Sequence, residues 1–199
     1  MPNSASVLES SILARLKAAT REEHESIERR VDLFGRVTDL PSYLSLLKRF
    51  RGFFEPFEKA LRATPGLGLA VPNIERRMRA GLLRRDLQSL GLSAAEIQDL
   101  PLCNEIPLIR TTAEALGCLY VVEGSTLGGQ IVARHVRGLD PAITGACEFF
   151  LSHGKDVGVM WQRFGVAAEQ YAAAHPDEAD EMCLAARETF RSMGQWLGW

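Results

Sequence analysis

The chain has 199 residues, 46% hydrophobic and 24% charged, which suffices for one domain with a substantial core. Its formal net charge of −2 argues against a nucleic-acid-binding protein, whose affinity comes from a surplus of lysine and arginine set against phosphates. Four cysteines, Cys103, Cys118, Cys147 and Cys183, include no Cys-x-x-Cys pair, so neither a zinc site nor a disulfide framework is expected, and a reducing cytoplasm suits them.

The first residues, "MPNSASVLESSILARLK", lack the basic-then-apolar order of a secretory signal, and no apolar run approaches a membrane span. One cytoplasmic domain over 1–199, with no membrane partner, is the expectation. The helical period then recurs along the chain. A first helix is expected over 6–31, with Leu13, Leu16, Thr20, His24, Ile27 and Val31 on one face. A second follows "TDLPS", with Pro41 near its first turn, and runs through "YLSLLKRFRGFFEPFEKALRA", bent at Pro56. "PNIERRMRAGLLRRDLQSLG" reads as a third, polar helix ending at Gly91, and "SAAEIQDL" as a short fourth with Ser93 as N-cap. "LPLCNEIPLI" is a connector. A glycine-rich helix spans 109–138, "ITGACEFFLSHG" forms a short helix, and "DVGVMWQRFGVAAEQYAAAH" a longer one. Pro176 and early acidic residues open the last helix, "PDEADEMCLAARETFRSMGQWL". No run has a strand's alternation, so the expected class is all-α, a compact helical bundle.

The glycine-rich helix, "GCLYVVEGSTLGGQIVARHV", is anomalous. Glycine in a helix interior costs roughly 1 kcal/mol relative to alanine, so Gly117, Gly124, Gly128 and Gly129 together cost about 4 kcal/mol. Gly117, Gly124 and Gly128 share one stripe at 3.6 residues per turn, leaving a groove for another helix or a flat ligand.

His24 is the one histidine on the apolar stripe of an amphipathic helix. Such a residue is more often a hydrogen-bonded core histidine than a ligand, but Glu28, one turn on, is placed to orient its imidazole. Lys17, two turns back on the same side, is placed to meet an anionic ligand edge. No histidine carries the Glu-x-x-His spacing of di-iron bundles, since Arg21, Val132, Phe150 and Ala172 stand three residues before the four histidines. "EGSTLG" lacks the Gly-x-Ser-x-Gly spacing of a serine nucleophile, and "GSTLGG" lacks the order of a phosphate-binding loop. Heme suits both unusual helices: it is flat, apolar on its faces, anionic at one edge, and its iron takes one imidazole. Burying roughly 300 Å² of porphyrin face returns about 7 kcal/mol, enough to offset the glycines.

"ATREEH" with Glu28 four residues after the histidine, "EGSTLGGQ" on a later helix, and "ARETFRSMGQWL" near the C-terminus resemble the heme oxygenase family, most closely the bacterial type found with bacteriophytochromes. The resemblance covers nearly the whole chain. It implies a heme, both cofactor and substrate, held between a proximal helix carrying His24 and a distal helix kinked at Gly124, Gly128 and Gly129. The ring would be opened with O2 and electrons to biliverdin, releasing CO and ferrous iron, and the product would supply a phytochrome chromophore. On that likeness His24 is the axial ligand to iron, Glu28 supports it, and Lys17 meets a propionate. Tyr120 and Arg163 are further propionate candidates beside their plainer readings as a buried tyrosine and a surface arginine. Phe190 is a candidate porphyrin contact. Ser125 stands where many members carry aspartate, and its hydroxyl, with that of Thr126, is the remaining means of ordering distal water. Trp161 and Trp196 read as core, and His135, His153 and His175 have no assigned role. The arginines of "RRMRAGLLRR", Arg76, Arg77, Arg79, Arg84 and Arg85, read as a solvated face or as a dock for an acidic electron donor such as a ferredoxin, because the chain has no flavin or nicotinamide fingerprint of its own. The competing functions are a heme carrier or sensor of the same fold, and a related enzyme that binds no heme.

Overall fold

The computed structural model describes residues 11–198, and every regular element among them is helical. The first expected helix is two. Ser11 caps α1 (Ile12–Ala19) by accepting from Ala14 N, and Thr20 ends it, its hydroxyl donating to Leu16 O at 2.7 Å. Its backbone leaves the helical region there (φ −106°, ψ 4°), so α2 (Arg21–Val31) starts afresh and stops at Asp32, in the left-handed region. The expected turns at 6–10 lie outside the described residues.

Asp39 and Ser42 form a reciprocal cap at the start of α3 (Leu40–Ala63), Pro41 occupies the first turn, and the helix continues through Pro56. Its buried face carries Tyr43, Leu46, Leu47, Phe53, Phe54 and Phe57. The polar helix expected from residue 72 is not one helix. A single 3-10 turn at Ile74–Arg77 is followed by extended backbone at Met78, and α4 (Ala80–Ser89) begins only after Arg79. The reason lies in α3: buried Glu58 accepts from the backbone N–H groups of Arg79 (2.5 Å) and Ala80 (2.9 Å) and so caps α4 from a neighbouring helix. Gly91 (φ 95°) ends α4, and Ser93 with Glu96 caps the short Ala94–Gln98 helix as the sequence suggests.

The connector is non-helical up to Thr111, which caps α5 (Thr112–Ser125). The glycine-rich helix is then interrupted by a 3-10 turn at Thr126–Gly128 before α6 (Gly129–Arg137). "ITGACEFFLSHG" is not an α-helix: after a 3-10 turn at Pro141–Gly145 its backbone is held by other elements. Tyr43 Oη donates to Ala146 O at 2.6 Å, and Asp86 accepts from Glu148 N (2.8 Å) and Phe149 N (2.9 Å). Two long helices finish the chain, α7 (Val157–Ala174) and α8 (Ala179–Leu197), the latter opened by a 3-10 turn at Pro176–Glu178.

Helix α5 is buried on all sides, as its lack of a polar face requires. It packs most extensively on α8, which also lies along α2. Gly117 permits the first contact, since a Cβ there would collide with the Met182 carbonyl. Glu23 secures the second by accepting from Arg187 and Arg191 at 2.9 Å each.

Candidate active site

A cavity of about 530 Å³ lies between α2 and the α5–α6 break, with further walls from α3, α8 and the 149–150 turn. On α2, Ile27 and Val31 form its floor beside His24, whose ring meets Phe190 edge-on at 5.5 Å. His24 Nδ1 lies 3.7 Å from Glu28 Oε1, within ion-pair range and with helical i, i+4 spacing. Phe50, Phe54, Phe149 and Phe150 supply a wall of interlocking aromatic rings at 5.0–6.2 Å.

The glycines divide into two kinds, which corrects the expectation of one continuous groove. Gly117 is filled by α8, and a Cβ at Gly129 would strike the Phe150 carbonyl, so these two permit backbone contact. Gly128 has no atom within 4 Å of the place its Cβ would occupy, and Gly124 meets only the Trp161 ring at 3.7 Å. Those two open on the cavity.

Ser125 Oγ donates to Val122 O at 2.8 Å and accepts from Arg79 Nη2 at 3.2 Å. Arg79 also donates to Val122 O at 2.6 Å, and its guanidinium sits 4.9 Å from the centres of both Phe54 and Phe149. Only 3% of it is exposed. Burial pulls its pKa down to about 10, opposed by the charges of Glu123 and Glu58, so it stays cationic at neutral pH. Behind it, Arg77 pairs with buried Glu123 and donates to Met160 O, and His153 Nε2 lies 3.9 Å from Glu123 Oε1. Glu123 directly precedes Gly124, so this cluster fixes the backbone where the helix breaks.

The arginine run, expected as a solvated face or a donor dock, is not all on the surface: Arg77 and Arg79 are buried, while Arg84 pairs with Glu55 and Arg85 with Glu148. A signal for the inward pair was present. Glu58 falls on the same helical stripe as Phe54 and Leu61, and Glu123 interrupts the apolar run "CLYVV", so two carboxylates were bound for the core and needed donors.

Of the residues singled out in the sequence, His24, Glu28, Tyr120, Gly124, Ser125, Gly128, Gly129 and Phe190 all border this cavity. Thr126 borders it too, its hydroxyl donating to Glu123 O at 2.6 Å. Trp161, read as core, also faces it, with its ring 5.7 Å from Tyr120. Trp196 is structural, donating to Arg49 O at 2.7 Å. Lys17 is exposed on α1 and does not border the cavity, because the break at Thr20 takes α1 off the line of α2. Arg163 is exposed on α7 and borders a separate groove with Arg76 and Arg77. Among the described residues, Arg79 is the only lysine or arginine on the cavity wall.

Comparison with known proteins identifies the family and the fold. The sequence profile of the family described as Heme oxygenase matches residues 10–198. A heme oxygenase of Xanthomonas campestris pv. campestris (strain 8004) is 30% identical over 142 residues, covering 71% of this chain and 81% of the relative. In fold, the chain resembles the NO- and CO-bound heme oxygenase of Neisseria meningitidis, with a TM-score of 0.77, 24% identity, and 94% and 90% of the two chains covered. It also resembles the Leptospira interrogans heme oxygenase, with a TM-score of 0.70, 17% identity, and 94% and 98% covered. No helix among the described residues is long and apolar enough to cross a membrane. The profile match over almost the whole chain and the Xanthomonas relative make this protein a member of the heme oxygenase family, an enzyme of heme degradation.

Proposed function

We propose that the cavity binds heme between His24 and the α5–α6 break, and that the protein opens the ring to biliverdin, releasing CO and ferrous iron. The observation that carries this reading is one cavity of about 530 Å³ with an imidazole on one helix and two unobstructed glycines on another. The cavity suits the group: its walls are largely aromatic and aliphatic, and alanine at Gly128 would place a methyl in open space that a flat ligand needs. Bound heme supplies the redox iron and the ring that is opened.

The chain's own residues do the rest. Glu28, near Nδ1, would orient the His24 ring and leave its other nitrogen free to hold the iron of a bound heme. Gly124 and Gly128 keep the distal side clear of side chains, and the four phenylalanines exclude bulk water. Arg79 and Ser125 take the place of the aspartate common in the family. Arg79 keeps its charge and has donors beyond those it gives to Val122 and Ser125, so it serves to orient water on the distal side rather than to accept a proton. Tyr120, which borders the cavity, and Lys17 and Arg163, which would reach it from outside the lining, are the candidates for the anionic edge. Electrons come from an external donor such as a ferredoxin, and supply of a phytochrome chromophore in the cytoplasm is the proposed use of the product.

The test is an optical titration with hemin followed by a reductant under air. A stoichiometric Soret band that gives way to broad red absorption supports the reading. A persistent Soret band identifies a carrier or sensor, and no Soret band removes heme from the cavity.

A further inference from the structure

Asp86 lies on α4, away from the cavity, and is completely buried. Its two oxygens are divided between two consecutive amides, Oδ1 accepting from Glu148 N and Oδ2 from Phe149 N. Those amides belong to the turn that replaces the expected helix, and two residues of that turn matter to the pocket. Phe149 lays its ring against the Arg79 guanidinium at 4.9 Å. Phe150 O sits where a Cβ of Gly129 would be, so the turn bears directly on the start of α6. Arg79 continues the chain of contacts to Val122 O and Ser125 Oγ.

We propose that Asp86 is a positioning residue of the heme pocket: by holding the 148–149 amides it keeps Phe149 on Arg79 and Phe150 against Gly129, and so fixes the distal segment over the cavity. The role in heme binding rests on the reading of the cavity given above, whereas the mechanical link from Asp86 to the distal segment does not. The chemistry favours a functional rather than a stabilising role. Burial drives the Asp86 pKa up to about 6, with Glu148 adding to the rise and the two amides and Arg85 opposing it. Tyr43 and Cys147 complete the ionisable groups that face it. A buried carboxylate that is still charged at neutral pH is a poor device for stability alone, because an amide or an apolar side chain would avoid the desolvation. It is an effective device for fixing two adjacent N–H groups at once, since charge-assisted bonds are the stronger kind.

The experiment is a double-mutant cycle between Asp86→Asn and Arg79→Met in the hemin complex, read as the rate at which hemin passes to a scavenging apoglobin. Asparagine matches the shape of Asp86 but cannot accept from both amides with full strength. Asp86→Asn is expected to speed release roughly tenfold, the equivalent of about 1.4 kcal/mol. In the Arg79→Met background the same change is expected to have a clearly smaller effect, because one of the two contacts through which Asp86 acts, Phe149 on Arg79, is already gone while Phe150 against Gly129 remains. Equal effects in both backgrounds would overturn the proposal. Should Asp86→Asn fail to fold, Asp86→Glu keeps the charge but displaces it from the two amides, and the same non-additivity is expected. Hydrogen exchange of the heme-free protein tests the link separately: Asp86→Asn should raise exchange at Glu148 and Phe149 and also in the 122–129 segment. Faster exchange confined to the turn refutes the link whether or not the protein binds heme. Failure of the wild type to give a Soret band refutes the reading of the cavity instead.

Discussion

Alanine at Gly117 and at Gly128 should have opposite effects on stability, although both glycines belong to the same interrupted helical segment. At Gly117 a new Cβ collides with the Met182 carbonyl and reaches the Ala185 Cβ at 3.0 Å, so α5 and α8 must separate along their most extensive contact. Overpacking of this kind costs about 1–3 kcal/mol. The helix propensity gained is about 1 kcal/mol. Because the clash is with backbone rather than with a movable side chain, the cost lies at the upper end of that range, so the net loss is about 2 kcal/mol, and with a urea dependence of about 2 kcal/mol/M the midpoint of the heme-free protein falls by about 1 M. At Gly128 the methyl meets nothing within 4 Å, and the less flexible unfolded chain leaves a gain of about 0.4–1 kcal/mol. The same methyl projects into the cavity and should weaken hemin binding about tenfold. Urea unfolding of the heme-free variants and a Soret titration of each measure the two effects. If Gly117→Ala is as stable as wild type, or Gly128→Ala binds hemin as tightly, the division of the glycines into packing and cavity roles is wrong.

Three further outcomes are expected. His24→Ala should lose the histidine-ligated hemin spectrum while keeping its helical content, and added imidazole should restore the spectrum; an unchanged spectrum would assign the ligand elsewhere. Asp86 has a folded pKa of about 6 against an ordinary 3.8, so its favourable contribution is complete below about 3.8 and is lost as the pH rises through 6. Asp86→Asn should accordingly lack that part of the fall in stability between pH 4 and pH 7, as urea unfolding across this range would reveal; parallel pH profiles would contradict the assignment. Neutralising Arg84 and Arg85 to glutamine should change turnover driven by an acidic donor by less than about twofold. Both are already paired with Glu55 and Glu148, and exposed pairs are worth about 0–1 kcal/mol. A large, salt-dependent loss would restore them as a docking site.

Periodicity in the sequence located the long helices that carry an apolar stripe, whereas α5, apolar on every side, was marked by its unbroken apolar run. Periodicity failed where a buried side chain from elsewhere captures the backbone. Glu58 caps α4 and turns a supposed twenty-residue helix into a turn followed by a shorter one. Asp86 and Tyr43 hold the turn after Pro141 out of helical form. Both are contacts between residues distant in sequence, and no local pattern announces them. The cavity was legible for a similar reason in reverse. His24, Glu28 and the glycines are local departures from helix composition, and all of them but Gly117 converge on one cavity. Arg79 escaped notice because its neighbours Arg76, Arg84 and Arg85 are ordinary surface residues, and residue type alone does not separate them. Lys17 lies outside the cavity lining, on α1, which Thr20 ends four residues before His24.

Helix α8 has a consequence beyond holding the bundle together. It carries the Met182 carbonyl that rests on Gly117 of α5, and also the arginines that grip Glu23 of α2. One rigid rod is therefore fastened to both jaws of the cavity, and it acts as a calliper whose settings are the size of residue 117 and the reach of Arg187 and Arg191. Both settings lie outside the cavity lining, so the width of the slot can be adjusted without altering any group that touches the substrate. Selection among porphyrins of different bulk then has a handle in residues that do not themselves line the pocket.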